Sequence, residues 1–281
     1  MMSKGYLVLF LDLPNGSLGA AFPPAGKGSV DLSNNFLGRQ EIGYYEAELL
    51  PGAYARLKQL HGDLDFNALP VATELPPDTK TVSVGESPDG EDIDMRTFPL
   101  HSVPDALEPL LNEMREASEH MLTKPLRVLR GEGAPTSPRF PLEKSVSFAV
   151  TLRNVGSQAI EMENPFIPHA PGRANLRLLV SKDKPSEQLR EGDVLWMELG
   201  LENVHPPEGK KPPEGRRVTL TPGAELRFVV RKKLLSAPGT YRAVLTYFTS
   251  RGERGLETMD GQLALDLGRF EVVQSPPQTQ P

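Results

Sequence analysis

The sequence predicts an α+β N-terminal domain followed by an all-β sandwich. The chain has 281 residues, which is enough for two domains of about 100–200 residues each. Its 28 Pro and 25 Gly residues favour short strands and turns over long helices. The first 132 residues mix helical and strand periodicity, whereas only strand periodicity follows residue 139.

The charge changes sign along the chain and supports the same division. Residues 1–132 hold 11 Lys/Arg and 20 Asp/Glu, a net charge of −9, whereas residues 133–281 hold 20 and 17, a net charge of +3. A Pro/Gly-rich stretch lies between them. We therefore predict an α+β domain at 1–132, a linker at 133–138, a β-sandwich at 139–274 and a disordered tail at 275–281.

The first domain starts with a continuous apolar run, 6–13, which is typical of a central strand. Residues 51–60 have the spacing of a short helix. Two strands, 79–85 and 93–98, are predicted to form a hairpin around a Ser-Pro-Asp-Gly turn. Ser102 is then expected to cap a helix, with Asp105 completing a capping box. Its apolar face is formed by Val103, Leu107, Leu110, Leu111, Met114, Ala117 and Met121.

The second half shows strand periodicity alone. Val146, Phe148, Val150 and Leu152 alternate with more polar residues, which places them on one face of a strand. Tyr241 begins a late strand just after a turn, so its hydroxyl is expected to bond back to the turn backbone. Further strands are predicted at 160–162, 176–180, 194–201, 216–220, 226–230, 241–248 and 263–273.

Three stretches of the second half carry a resemblance to a known fold. The run 147–157 (Ser-Phe-Ala-Val-Thr-Leu-Arg-Asn-Val-Gly-Ser), the turn 220–223 (Leu-Thr-Pro-Gly) and the turn 238–241 (Pro-Gly-Thr-Tyr) resemble those of bacterial immunoglobulin-like sandwich modules. Intracellular proteinase inhibitors and other accessory modules share that layout. The resemblance covers roughly residues 140–274 and implies an immunoglobulin-like β-sandwich. The first half carries no such resemblance.

The chain lacks the residues or motifs that several kinds of reactive site require. The chain has no Cys, which removes disulfides, thiolate nucleophiles, Cys-based zinc sites and iron–sulfur clusters. Gly28 stands where a phosphate-binding loop needs a hydroxyl, and neither Gly-x-Ser-x-Gly nor His-Glu-x-x-His occurs. The five His residues are scattered. We therefore expect no catalytic residue, no metal and no cofactor.

The apolar run 6–13 is too short to span a bilayer, and its flanks are unlike those of a signal peptide. We therefore expect a cytoplasmic protein with no membrane span, and the resemblance implies a bacterial one. Nucleic acid is disfavoured as a partner because the net charge is −6 and aromatic residues are not interleaved with the basic ones.

Two charged segments are candidates for binding another protein. Pro-Pro-Glu-Gly followed by two basic residues occurs twice in tandem, which makes Lys210, Lys211, Arg216 and Arg217 candidate contacts to an acidic surface. A slipped duplication in a tolerant surface loop is the structural alternative. The hairpin offers four acidic candidates, which a solvated turn also explains: Asp89, Glu91, Asp92 and Asp94.

We therefore expect a non-catalytic protein-binding protein that occludes its partner sterically and electrostatically, as an inhibitor or a toxin-neutralising immunity protein does. One alternative is a hydrolase that uses Asp89, Asp92 and Asp94 in a cleft between the domains. The other is a structural or assembly subunit whose strand edges pair with a neighbour. The partner's identity and the oligomeric state stay open.

Overall fold

The protein is mostly β. Strands take up 52% of the described residues and helices 15%, with only two α-helices, and the strands form large antiparallel sheets. The computed structural model of the chain describes residues 5–13, 16–34, 39–66, 68–69, 75–76, 79–87, 93–167, 175–234, 237–250 and 259–274.

The described residues divide into two compact units. The first unit comprises the described residues within 1–128 and 155–158, and the second comprises those within 129–154 and 159–281. Residues 133–135 of the predicted linker are the last residues of a strand, β7 (Pro125–Pro135). The predicted division into two domains around residues 133–138 stays a prediction.

The first unit is built on antiparallel strands that are neighbours in the order β4-β3-β2-β1-β5-β6. Two α-helices, α1 (Ala53–Gly62) and α2 (Glu108–Met121), accompany them. The strands are β1 (Tyr6–Leu13), β2 (Gly16–Phe22), β3 (Lys27–Leu32), β4 (Glu41–Glu48), β5 (Thr81–Ser87) and β6 (Asp94–Pro99).

The expectation of an α+β N-terminal domain is wrong, because six strands stand against two helices and no distinct α+β domain is present among the described residues. The expectation missed β2 and β3. Gly, Ala and Ser fill much of these two strands, so the buried and half-buried positions alternate without a strong alternation in hydrophobicity. The central position of β1 between β2 and β5 is confirmed.

Helix α2 buries the face that the sequence predicts. Leu107, Leu110, Met114, Ala117 and Met121 are all buried in the core of the first unit. The expected Ser102 cap is wrong, because α2 starts at Glu108 with no side-chain cap. Pro104 restricts the residue before it, and Val103 is extended at φ −64° and ψ 129°. The extended Val103 separates Ser102 from the helix.

The second unit contains two larger sheets and a two-stranded ribbon. One sheet has neighbours in the order β13-β15-β9-β7, the other in the order β12-β11-β16-β17-β8, and β10 pairs with β14. The strands are β8 (Arg139–Pro141), β9 (Ser145–Asn154), β10 (Ile160–Glu163), β11 (Leu176–Lys182), β12 (Val194–Glu198), β13 (Val204–His205), β14 (Arg217–Leu220), β15 (Glu225–Lys233), β16 (Gly239–Thr249) and β17 (Gly261–Val273).

The two larger sheets of the second unit pack face to face. The rings of Phe148 on β9 and Phe270 on β17 meet edge to face, with centroids 5.5 Å apart. Gly131 on β7 approaches β17 so closely that an added Cβ would lie 2.4 Å from a methyl carbon of Leu265. The core of this unit therefore lies between the sheets, and the predicted burial of alternate residues in 146–152 is confirmed. The immunoglobulin-like resemblance stays a prediction.

The predicted role of the Tyr241 hydroxyl is confirmed. It donates to the carbonyl oxygen of Ala237 in the preceding turn, at 2.6 Å. The ring stacks on Phe270 with the centroids 5.8 Å apart. Tyr241 therefore ties the start of β16 to both the turn and the core.

The Tyr241→Phe variant should lose about 1 kcal/mol of unfolding free energy, because the ring stays buried while the hydrogen bond to Ala237 is removed. Urea unfolding measures the loss. Tyr44→Phe is the control, since that ring packs under Arg127 and its hydroxyl makes no described hydrogen bond. Equal stability of the wild type and Tyr241→Phe would contradict the assignment.

Candidate partner-binding loop

The Pro-rich basic segment forms a loop between β13 and β14, called the basic loop here and comprising residues 206–216. The loop reverses at Gly209 and Gly215, whose φ values of 74° and 88° favour glycine. The backbone amide of Lys210 donates to the Pro207 carbonyl oxygen at 2.9 Å, which closes the first of these turns. Each of the two Pro-Pro-Glu-Gly repeats thus ends at a glycine with a positive φ.

A buried asparagine holds the second half of the basic loop. Asn164, which is 2% exposed, directly follows β10. Its Nδ2 donates to the carbonyl oxygens of Pro213 and Gly215, both at 2.9 Å. Its backbone amide donates to the Arg216 carbonyl oxygen at 3.0 Å. Asn164 therefore uses both side-chain donors on the loop backbone.

The side-chain carbonyl oxygen of Asn164 also has a hydrogen-bond partner. Its Oδ1 accepts the backbone N–H of Phe166 at 3.0 Å. The Phe166 ring in turn packs edge to face on Phe228, with the centroids 6.1 Å apart. The amide orientation is therefore set by one acceptor and two donor contacts, and the loop is attached to the core of the second unit through them.

The four basic candidates of this segment fall into two groups. Lys210, Lys211 and Arg216 are exposed, and within the described part of the chain no carboxylate lies within 4 Å of them. The loop glutamates, Glu208 and Glu214, are exposed too and form no ion pair with these cations.

Arg217 differs from the other three cations. It is partly buried at the start of β14, opposite Glu163 of β10. Its Nη2 donates to the Ser250 carbonyl oxygen at 2.8 Å. Arg217 therefore contacts the interior of the second unit, and the surface cations of the segment are Lys210, Lys211 and Arg216.

A large aromatic side chain is exposed elsewhere on the second unit. Trp196 lies on β12, the edge strand of the five-stranded sheet, and is 65% exposed. Its residue partner on the neighbouring strand is Leu179, which is partly buried. Trp is enriched among the residues that anchor protein interfaces. The sequence does not reveal this exposure, because Trp196 lies in an apolar run between Leu195 and Met197.

Of the acidic candidates, the structure places Asp94 alone. Asp94 is the first residue of β6 and is exposed. The other three, Asp89, Glu91 and Asp92, lie outside the described residues. The pairing of carboxylates on which the hydrolase alternative depends therefore involves residues outside the described part of the chain.

Asp94 lines a polar cavity of about 220 Å³ within the first unit, together with His61, Phe66, Val84, Gly85, Glu86 and Arg96. Lys58 donates from Nζ to Glu86 Oε1, and His61 Nδ1 lies 3.7 Å from Glu86 Oε2. No local sequence pattern predicts this cluster, because α1 and β5 are far apart in the chain and are brought together only by the fold. Across the described residues, no three His, Asp or Glu side chains are placed to hold a metal ion.

Burial lowers the pKa of His61 below its ordinary value. The Glu86 and Asp94 carboxylates oppose this shift, while the nearby Lys58 adds to it. The imidazole also packs on Phe66, with the ring centroids 4.7 Å apart. The surroundings of His61 therefore favour its neutral imidazole form on balance.

Comparison with known proteins assigns no family. No protein-family model and no curated protein matches the chain. Among solved structures, the chain is similar to the β-glucosidase EmGH1 of Erythrobacter marinus (14% identity, TM-score 0.27), covering 52% of this chain and only 16% of that one.

Two further structures show likenesses of the same order. They are the ApaA protein of Bordetella pertussis (14% identity, 56% of this chain and 99% of that one, TM-score 0.27) and AvmM, which catalyses macrocyclization in alchivemycin A biosynthesis (12% identity, 54% and 92%, TM-score 0.27). TM-scores this low assign neither a fold nor a function to the chain.

Neither α1 nor α2, the α-helices of the described residues, is long and apolar enough to cross a membrane.

The stability of the first unit should fall as the pH is lowered from about 6.5, the ordinary pKa of His, towards the lower pKa of folded His61. The unfolded chain takes up the proton first in this window, so protonation favours unfolding. His61→Gln should show a smaller drop in its urea midpoint between about pH 7.5 and pH 5 than the wild type. His101→Gln, at an exposed site, is the control. The same pH dependence in the wild type and His61→Gln would refute this assignment.

Proposed function

We propose that this is a non-catalytic protein-binding protein that occludes an acidic surface of its partner with the basic loop. The observation that carries the proposal is that the loop backbone is held at two places, by Asn164 at Pro213, Gly215 and Arg216 and by the hydrogen bond from the Lys210 amide to the Pro207 carbonyl oxygen. Lys210, Lys211 and Arg216 are exposed on this backbone. A loop already held in one conformation loses less entropy when it binds than one that must first become ordered.

The charge of the loop supports an acidic partner. Its three surface cations have no carboxylate partner within 4 Å among the described residues, so they are available to carboxylates of another molecule. Cations exposed at a rim accelerate association and select for surfaces of opposite charge. The Debye length falls from about 10 Å at 0.1 M salt to about 3 Å at 1 M, so binding should weaken as salt rises.

Two further observations agree with a binding role. Trp196 offers a large aromatic contact that is 65% exposed on an edge strand of the same unit. The resemblance of residues 140–274 to immunoglobulin-like modules of the proteinase-inhibitor type implies a fold whose edges and loops commonly bind other proteins. We therefore infer an inhibitor or immunity protein as the specific form of this function.

The test is a comparison of two charge-reversed double variants. The full chain is used to capture proteins from lysate of its source cells at low salt, and a captured protein is purified and titrated. Combining Lys210→Glu with Lys211→Glu should weaken the complex about tenfold or more, mostly through slower association. The wild-type affinity should also fall steeply between about 0.05 and 0.5 M salt.

The matched control combines Lys144→Glu with Lys233→Glu. Both lysines are exposed residues of the second unit and form no described ion pair. The control changes the net charge by the same amount, because it also replaces two lysines with glutamates. It should bind within about twofold of the wild type. Equal weakening by the two double variants, or no stable partner at low salt, would contradict the proposal.

A further inference from the structure

A second cavity lies between α2 and the sheet of the first unit. It encloses about 70 Å³ and is lined by Leu9 and Leu18 from the sheet and by Leu111 from the helix, with other aliphatic side chains. Its one hydroxyl, that of Ser118, already donates to the Met114 carbonyl oxygen at 2.7 Å. Water needs two or more polar partners, so this floor favours hydrocarbon. At about 10–15 Å³ per water-sized group, the cavity has room for about five non-hydrogen atoms.

The mouth of this cavity carries two opposite charges. Arg115 and Glu119 both line it and lie one helical turn apart on α2, where side chains are neighbours. Both are exposed, and no ion pair within 4 Å joins either of them to another described residue. Leu100, which is 41% exposed, also lines the cavity and shows that it opens to solvent.

We propose that this cavity binds a free α-amino acid with a branched aliphatic side chain. The ligand carboxylate would pair with the Arg115 guanidinium, the ammonium with the Glu119 carboxylate, and the side chain would fill the apolar floor. The four carbons of a leucine side chain match the available volume. The ammonium and carboxylate groups of an α-amino acid are bonded to the same carbon. They can therefore reach Glu119 and Arg115 together, since these two residues lie one helical turn apart.

Other small ligands use only part of the site. An aliphatic carboxylate would need Arg115 but not Glu119, and an aliphatic amine would need Glu119 but not Arg115. An apolar side chain of a partner protein would need neither charge. Each rival therefore predicts a different dependence on the two residues.

The experiment is a titration of the full chain, followed by calorimetry or amide NMR, with leucine, 4-methylpentanoate, 3-methylbutylamine and glycine. Leucine should bind at least about tenfold more tightly than the other three. Arg115→Gln and Glu119→Gln should each weaken leucine binding about tenfold. The Arg115 variant should abolish the preference for leucine over the amine, and the Glu119 variant should abolish its preference over the carboxylate.

Glu116→Gln is the control, because Glu116 is exposed on α2 and does not line the cavity. It should bind leucine as the wild type does, and far-UV circular dichroism should show all three variants folded. The proposal is overturned if the folded wild type does not bind leucine, if glycine binds equally well, or if 4-methylpentanoate or the amine binds as tightly as leucine. It is overturned equally if Glu116→Gln weakens binding as much as the other two.

Discussion

The side chain of Asn164 is the contact on which the proposed binding surface depends. The basic loop exposes Pro, Glu and Lys residues and buries little apolar area of its own, so the hydrophobic effect does little to fix its conformation. The buried amide supplies the constraint instead, by donating to two loop carbonyl oxygens while its own oxygen is satisfied by Phe166. A buried amide left without its hydrogen bonds costs about 1–3 kcal/mol. Detachment of the loop from Asn164 is therefore unfavourable, because it would leave the Asn164 side-chain N–H groups without acceptors.

The fold explains why this contact forms where it does. Pairing of β10 with β14 places Asn164 beside the end of the loop that leads into β14. The loop contributes the charges and the two-sheet core contributes the rigidity, which is the usual division between a binding loop and its scaffold. In the first unit, the polar and apolar cavities both form where a helix meets strands of one sheet.

Local patterns in the sequence predicted local features well. The central strand β1, the buried face of α2, the alternation in β9 and the Tyr241 hydrogen bond all depend on residues close together in the chain. The predicted fold class of the first half is wrong because β2 and β3 are rich in small residues, so their buried and half-buried positions differ little in hydrophobicity. The basic loop was recognisable because its repeat is local. Asn164 was not, since it lies 49 and 51 residues from the carbonyls that it binds, and the cavities combine residues from distant elements.

The backbone order of the basic loop, measured by ¹⁵N relaxation in the wild type and in Asn164→Ala, tests whether Asn164 holds the loop. We expect order parameters of about 0.85 for Glu214, Gly215 and Arg216 in the wild type. In the variant they should fall below about 0.6, while the β15 amides stay unchanged. Wild-type values already below about 0.6 in the loop, or values that do not change in Asn164→Ala, would contradict it.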